Sequence, residues 1–204
     1  MIEEQLQAGA ADTGRAMLPE QNIKVVRQPL VVRPHPRRRL EQRLGLRFPR
    51  ALVLVSRAVL RLPPRSRLRQ VVLRRSAQLG FEALNRRDYE AIFALLYHPD
   101  AELTVFPEFV ALGFEPVYRG LDARIGFHQR WDAEWGEFWF EPEELIDLGD
   151  RVVVAGYMKG TGLSSGAAVD TVWASVCMLS SGRVRHELAF LDRGEALRAA
   201  GLVD

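Results

Sequence analysis

The sequence predicts an α+β protein: helices packed on one side of a curved, mainly antiparallel sheet, preceded by a basic helical extension. Three observations carry this reading. Residues 150–192 contain RVVVAGYMKG, AVDTVWASVCML and RVRHELAFLD, proline-free runs rich in β-branched and aromatic residues, separated by TGLSSGA and SSG. Gly/Ser turns between such runs are the signature of an antiparallel meander. Upstream, apolar residues recur at three- and four-residue spacing in several segments, the period of amphipathic helices. Charge is also divided: Lys24 to Arg75 holds 16 Lys/Arg against Glu41 alone, whereas residues 76–204 hold 11 Lys/Arg and 21 Asp/Glu. A basic arm, residues 21–65, therefore precedes an acidic domain, residues 66–204.

Taken in order, residues 1–20 lack sustained periodicity and are expected to be disordered. Ile23 to Pro36 reads as extended, because Pro29, Pro34 and Pro36 exclude a helix and bias the residues before them toward β or polyproline geometry. A helical pattern starts at Arg37 and breaks at Phe48-Pro49. It resumes with Leu52, Val55, Val59 and Leu62 on one stripe and ends at Pro63-Pro64. A long helix is predicted from Ser66 to Arg87, then a second one capped by Asp88 that stops at His98-Pro99. Ala101 to Phe106 reads as a strand, Pro107 to Arg119 as a loop, and Leu121 to Trp135 as a third helix. Phe138 to Leu148 is a strand leading into the meander. Asp192 and Glu195 form a capping box for a last helix ending at Ala200.

An apolar fraction of 48% supports a substantial core in a 204-residue chain. The single Cys177 excludes an intramolecular disulfide, fits a reducing compartment and is expected as a buried, inert thiol. The start MIEEQLQAGA lacks the basic and apolar regions of a leader, and the longest uncharged apolar run, Ala51 to Val55, is far below the ~18 residues of a membrane span. The expectation is a cytoplasmic protein. No CxxC, H-x-x-x-H or H-x-x-E spacing, GxGxxG or phosphate loop occurs, so no metal or cofactor is expected. The basic arm has three physical readings: packing on its own domain or a partner, contact with an anionic membrane, or contact with nucleic acid. Phe48 is the arm's only aromatic from Arg37 to Arg65, so no base-stacking surface is offered and nucleic acid is disfavoured.

The segment QLGFEALNRRDYEAIFALLYHPDAELTVF, the YRG before the third helix, the SSGRV turn and FLDRGEALRAAGL together resemble the SnoaL-like branch of the nuclear transport factor 2-like superfamily. The resemblance covers roughly residues 70–204 and leaves out the arm. It implies a cone-shaped half-barrel with a pocket between three helices and the concave sheet, and dimerisation through the sheet's outer face. The superfamily fold does not fix the reaction; the leading expectation is a domain that binds a small apolar molecule and, if it is an enzyme, performs cofactor-free acid/base chemistry of the cyclase, isomerase, dehydratase or hydrolase kind. The alternative is a non-catalytic dimeric binding or assembly module, its arm docked on a membrane or a partner. Steroid isomerases of the superfamily use a tyrosine and two aspartates. Aligning ALN-x-x-D and Gly-(Arg/Lys)-Val puts those roles near Gly80, Val105 and Ala174, which excludes that reaction in this register.

The same register turns Val153, Ala155, Tyr157 and Lys159 inward, with Asp170, Val172 and Ala174 from the next strand and Glu187 and Ala189 from the last. Asp170 and Glu187 are the candidate catalytic carboxylates, because a carboxylate within an apolar strand is costly to bury unless paired or protonated. A proton-sharing pair would divide acid and base roles. His128, on the apolar stripe of the third helix, is the candidate proton shuttle, and Tyr157 contributes a hydroxyl. Trp131 and Trp135 would form an aromatic wall, with Val153, Ala155, Val172, Ala174 and Ala189 completing the pocket. The bland reading of each is a rim carboxylate, a core histidine or ordinary core packing.

Overall fold

The computed structural model describes residues 25–202. The expectation for residues 1–20 lies outside them. A strand β1 (Val26–Pro29) leads into helices α1 (Leu40–Arg47), α2 (Pro49–Leu60), α3 (Arg67–Asn85) and α4 (Tyr89–Leu96). Then follow β2 (Tyr97–Thr104), α5 (Pro107–Ala111), β3 (Val117–Arg119) and α6 (Leu121–Asp132). The long strands β4 (Trp135–Asp147), β5 (Arg151–Gly162) and β6 (Ala168–Ser180) precede β7 (Arg183–Phe190) and α7 (Arg193–Ala199). The seven strands form one sheet in the order β1-β4-β5-β6-β7-β2-β3. All neighbours are antiparallel except β2 and β7. This is the α+β architecture expected: a curved, unclosed sheet with helices in its hollow.

Local chemistry explains the boundaries. Ser66, Asp88 and Asp192 each accept a hydrogen bond from a backbone N–H three residues on, capping α3, α4 and α7. The turn between β6 and β7 has Ser181 at φ 52° and Gly182 at φ 83°, the two left-handed residues of a tight two-residue hairpin. Pro142 interrupts the β4–β5 ladder, where the register shifts. Opposite it, a Cβ on Gly156 would lie 2.2 Å from the Glu141 carbonyl oxygen, so only glycine lets the two backbones meet there. At the free edge of β4, the Asn85 amide bonds both the N–H and the C=O of Phe140, each at 2.8 Å, fastening the end of α3 to the sheet.

Three expectations are corrected. The stretch 107–119 is not all loop, since it holds α5 and β3. The third helix stops at Asp132, and Trp135 opens β4 instead of ending the helix. Val55 faces outward at 58% exposure, because α2 turns Leu52, Val53, Ser56, Val59 and Leu60 toward the protein.

The arm is tied into the rest of the molecule. β1 pairs with β4 from Val26↔Asp147 to Pro29↔Glu144, and Leu30 is fully buried in the main core. Arg38 binds Asp88, and Arg39 binds the buried Glu82 through two nitrogens at 2.6 and 2.8 Å. Arg69 of α3 makes a fully satisfied buried pair with Asp147 of β4, at 2.6 and 2.7 Å. Its remaining N–H groups go to the carbonyls of Leu60, Leu62 and Gly149, which welds α2, α3 and the β4–β5 turn together.

Both faces of the sheet are covered. Inside lies the main core, with α3, α4, α5 and α6 above it. Outside, Ile146, Val153, Ala155, Ala174 and Val176 pack against Ala196, Leu197 and Ala200 of α7 and the residues after it. Small residues on both sides allow the close approach of helix to strand.

Candidate functional site

Between α3, α4 and α6 and the concave sheet lies a cavity of about 170 Å³. Cavities of roughly 150 Å³ hold a benzene-sized guest, so the space suits a small ring or chain. Its wall is largely apolar, including Leu103, Phe127, Val154, Met158 and Trp173. One region of the wall is polar, and it is built by Tyr97, Arg124, His128, Ser175, Cys177 and Glu187.

Glu187 is the centre of that region. β7 brings it opposite Cys177 of β6 and beside Leu103 of β2. Its Oε2 accepts hydrogen bonds from Arg124 Nη2 at 2.5 Å and from Tyr97 Oη at 2.9 Å. Its Oε1 has no hydrogen-bond partner among the described residues. Arg124 is 1% exposed and lies over the Tyr97 ring, 4.3 Å from its centroid. Unlike Arg69, Arg124 leaves Nε and Nη1 without an acceptor among the described residues. Burial works most strongly against the Arg124 charge, but its neighbours together, Glu187 foremost, outweigh it and raise the guanidinium's pKa. Burial, then Glu187, pushes the Tyr97 hydroxyl well above its ordinary value. The same two causes raise the Cys177 thiol, which is buried and protonated. His128 stacks with Tyr89 at 5.6 Å and packs tilted against Phe93 at 5.4 Å. Burial, with the Arg124 cation next, lowers its pKa to about 3, so the imidazole is neutral at physiological pH.

Of the candidates named from the sequence, Glu187, His128, Trp131 and Ala189 line the cavity. Trp135 stands behind Trp131, 5.0 Å away by ring centroids, and does not itself line it. The strands β5 and β6 are turned the other way from the expected register. Val152, Val154 and Met158 face the cavity, with Trp173, Ser175 and Cys177. Val153, Ala155 and Ala174 are buried on the outer face under α7, and Val172, two residues from Ala174 on the same strand, shares that face. Tyr157 is 36% exposed and Asp170 sits outside with it, 3.8 Å from Lys159, which also binds Glu141 at 2.7 Å. Asp170 and Glu187 therefore share no pocket. The physical reason is that both faces of these strands are apolar, so alternation does not set the phase, and a one-residue slip reverses every side chain. Gly80 and Val105 do line the cavity, whereas Ala174 does not; the inward neighbours there, Trp173 and Ser175, offer no carboxylate either.

Arg124 and Tyr97 were not anticipated. Arg124 had a legible signal: it lies four residues before His128, hence on the same helical face. Tyr97 had none, because its role depends on β2 lying parallel to β7 across 90 residues of chain.

Comparison with known proteins agrees with this architecture. A sequence model of the SnoaL-like domain matches residues 77–187. An NTF2-like protein of unknown function from Burkholderia pseudomallei K96243 superposes with a TM-score of 0.53 at 26% identity, over 61% of this chain and 93% of that one. TerC, co-crystallised with polyporic acid, gives a TM-score of 0.53 at 23% identity, over 58% of this chain and 89% of TerC. The TerC likeness concerns the fold. No curated protein sequence matches the chain. The arm lies outside the matched domain.

Proposed function

Because the chain belongs to the SnoaL-like domain family of the nuclear transport factor 2-like superfamily, we propose that it takes a small, largely apolar molecule into its cavity and moves a proton on it without a cofactor. Glu187 Oε1 is the proton acceptor in this reading, and neutral His128 is the relay. Arg124 and Tyr97 position the carboxylate by occupying its other oxygen. The observation that carries the proposal is the single carboxylate in the polar region of a largely apolar enclosure, with one oxygen held and the other unclaimed among the described residues. Such a site orients a ligand through one polar group and leaves its remaining surface to apolar contact.

Native mass spectrometry of freshly purified protein tests it. The expected result is a retained apolar molecule that is absent from Ala189→Phe, in which the new ring fills the cavity while the urea midpoint shows a retained fold. A wild-type protein that carries no molecule and takes up no apolar fluorophore would overturn the reading.

A further inference from the structure

We infer that the outward faces of α1, α2 and α3 form a docking surface for an anionic phospholipid membrane. On α1, Leu40 and Leu44 are 66% and 49% exposed, and Arg43 and Arg47 share their face. On α2, Leu54 and Val55 are 66% and 58% exposed, and Arg50, Arg57 and Arg61 run beside them at helical spacing. On α3, Leu68 and Val71 are each 55% exposed, between Arg67 and Arg74. Phe48, at the junction of α1 and α2, is 57% exposed. The three helices are consecutive, and α2 touches both others.

None of these seven arginines has a carboxylate partner among the described residues. The only acid between Lys24 and Arg75 is Glu41, and Arg75 occupies it at 2.5 Å. Elsewhere many cations have a carboxylate partner, as in Arg119–Glu102 and Arg193–Glu144. The surface thus combines charge that has no carboxylate partner among the described residues with exposed aliphatic side chains that water solvates poorly.

Charge decides among occupants. A second copy would bring the same positive face against this one, and the two would repel. Nucleic acid supplies phosphates but nothing to cover leucine and valine, and a lone phenylalanine makes no stacking platform. An anionic bilayer supplies both, with headgroups for guanidinium groups and an acyl layer for the aliphatic chains between them. No helix among the described residues is long and apolar enough to cross a membrane, so the contact is peripheral. The opposite face of α2 contributes Ser56 and Leu60 to the cavity wall. Docking would therefore set the cavity one helix away from the lipid.

Flotation of the full-length protein with vesicles tests the inference, independently of whether the cavity holds a ligand. Binding is expected to phosphatidylcholine vesicles containing phosphatidylglycerol, to weaken as salt is raised, and to be absent with phosphatidylcholine alone. Combining Arg50→Glu, Arg57→Glu and Arg61→Glu should weaken it on the order of a hundredfold, taking roughly fivefold per arginine. Leu54→Asp should weaken it at constant salt, with circular dichroism showing an unchanged fold in both variants. Absence of flotation at low salt, or flotation indifferent to the triple change, would overturn the proposal. So would a dimer that dissociates on Leu54→Asp, duplex DNA that displaces the vesicles, or capture by an acidic protein with no vesicle binding.

Discussion

At the scale of single residues, the two buried arginines behave differently, and the difference is chemical. Arg69 spends every donor on Asp147 and three carbonyls; Arg124 spends one on Glu187. Removing Glu187 would leave a buried cation uncompensated, so Glu187→Gln is expected to cost about 3–5 kcal/mol in urea unfolding. Asp170→Asn and Tyr157→Phe, on the outer face, should stay within about 0.5 kcal/mol and leave ligand retention unchanged. His128 supplies a pH test. Its folded pKa is depressed to about 3, below the ordinary ~6.5 of an unfolded histidine. Above that value the group imposes no penalty. As pH falls from there toward 3 the unfolded chain gains the proton first, so this contribution to stability is lost across that window. His128→Phe should flatten the fall in urea midpoint between pH 6.5 and 4; an unchanged slope would show that other groups dominate.

At the scale of elements, β5 carries the strictest demand. Gly156 faces the Glu141 carbonyl where Pro142 breaks the ladder, and no side chain fits there. Gly156→Ala is expected to destabilise by about 2–4 kcal/mol, through overpacking against backbone that cannot retreat. Gly126, with nothing within 4 Å of its added Cβ, sits exposed in α6 and makes the control. Gly126→Ala should stabilise by about 0.5–1 kcal/mol through helix propensity. Paired urea titrations give both values, and equal effects of the two changes would contradict the steric account.

At the scale of the molecule, the arm belongs to the core. β1 extends the sheet beside β4, and Leu30 is completely buried in the cluster that includes Phe140 and Trp173. Leu30→Ala should therefore cost about 2–5 kcal/mol, the usual range for a buried leucine, and broadly the same cooperative transition should be seen by far-UV and tryptophan signals. A cost below about 1 kcal/mol would mean that the arm rests on the domain without completing it. The arm is thus fastened inward by Leu30, Arg38 and Arg39 while its outer faces carry arginines that have no carboxylate partner among the described residues.

What the sequence determined by itself was local. Gly/Ser turns, capping aspartates and helical spacing are recorded in neighbouring residues, which is why the meander, the capped helices, the α+β class and the family resemblance were all legible. Glu187 and His128 could be nominated because a charge or an imidazole on an apolar stripe is visible without coordinates. The tertiary structure alone decided which way β5 and β6 face. Their two faces are equally apolar because the hollow covers one and α7 the other, so Asp170 and Tyr157 went outward and Trp173 and Cys177 inward. It alone joined Tyr97 and Arg124 to Glu187, since contacts between residues 63 and 90 positions apart are set by strand order, and no local pattern encodes that order.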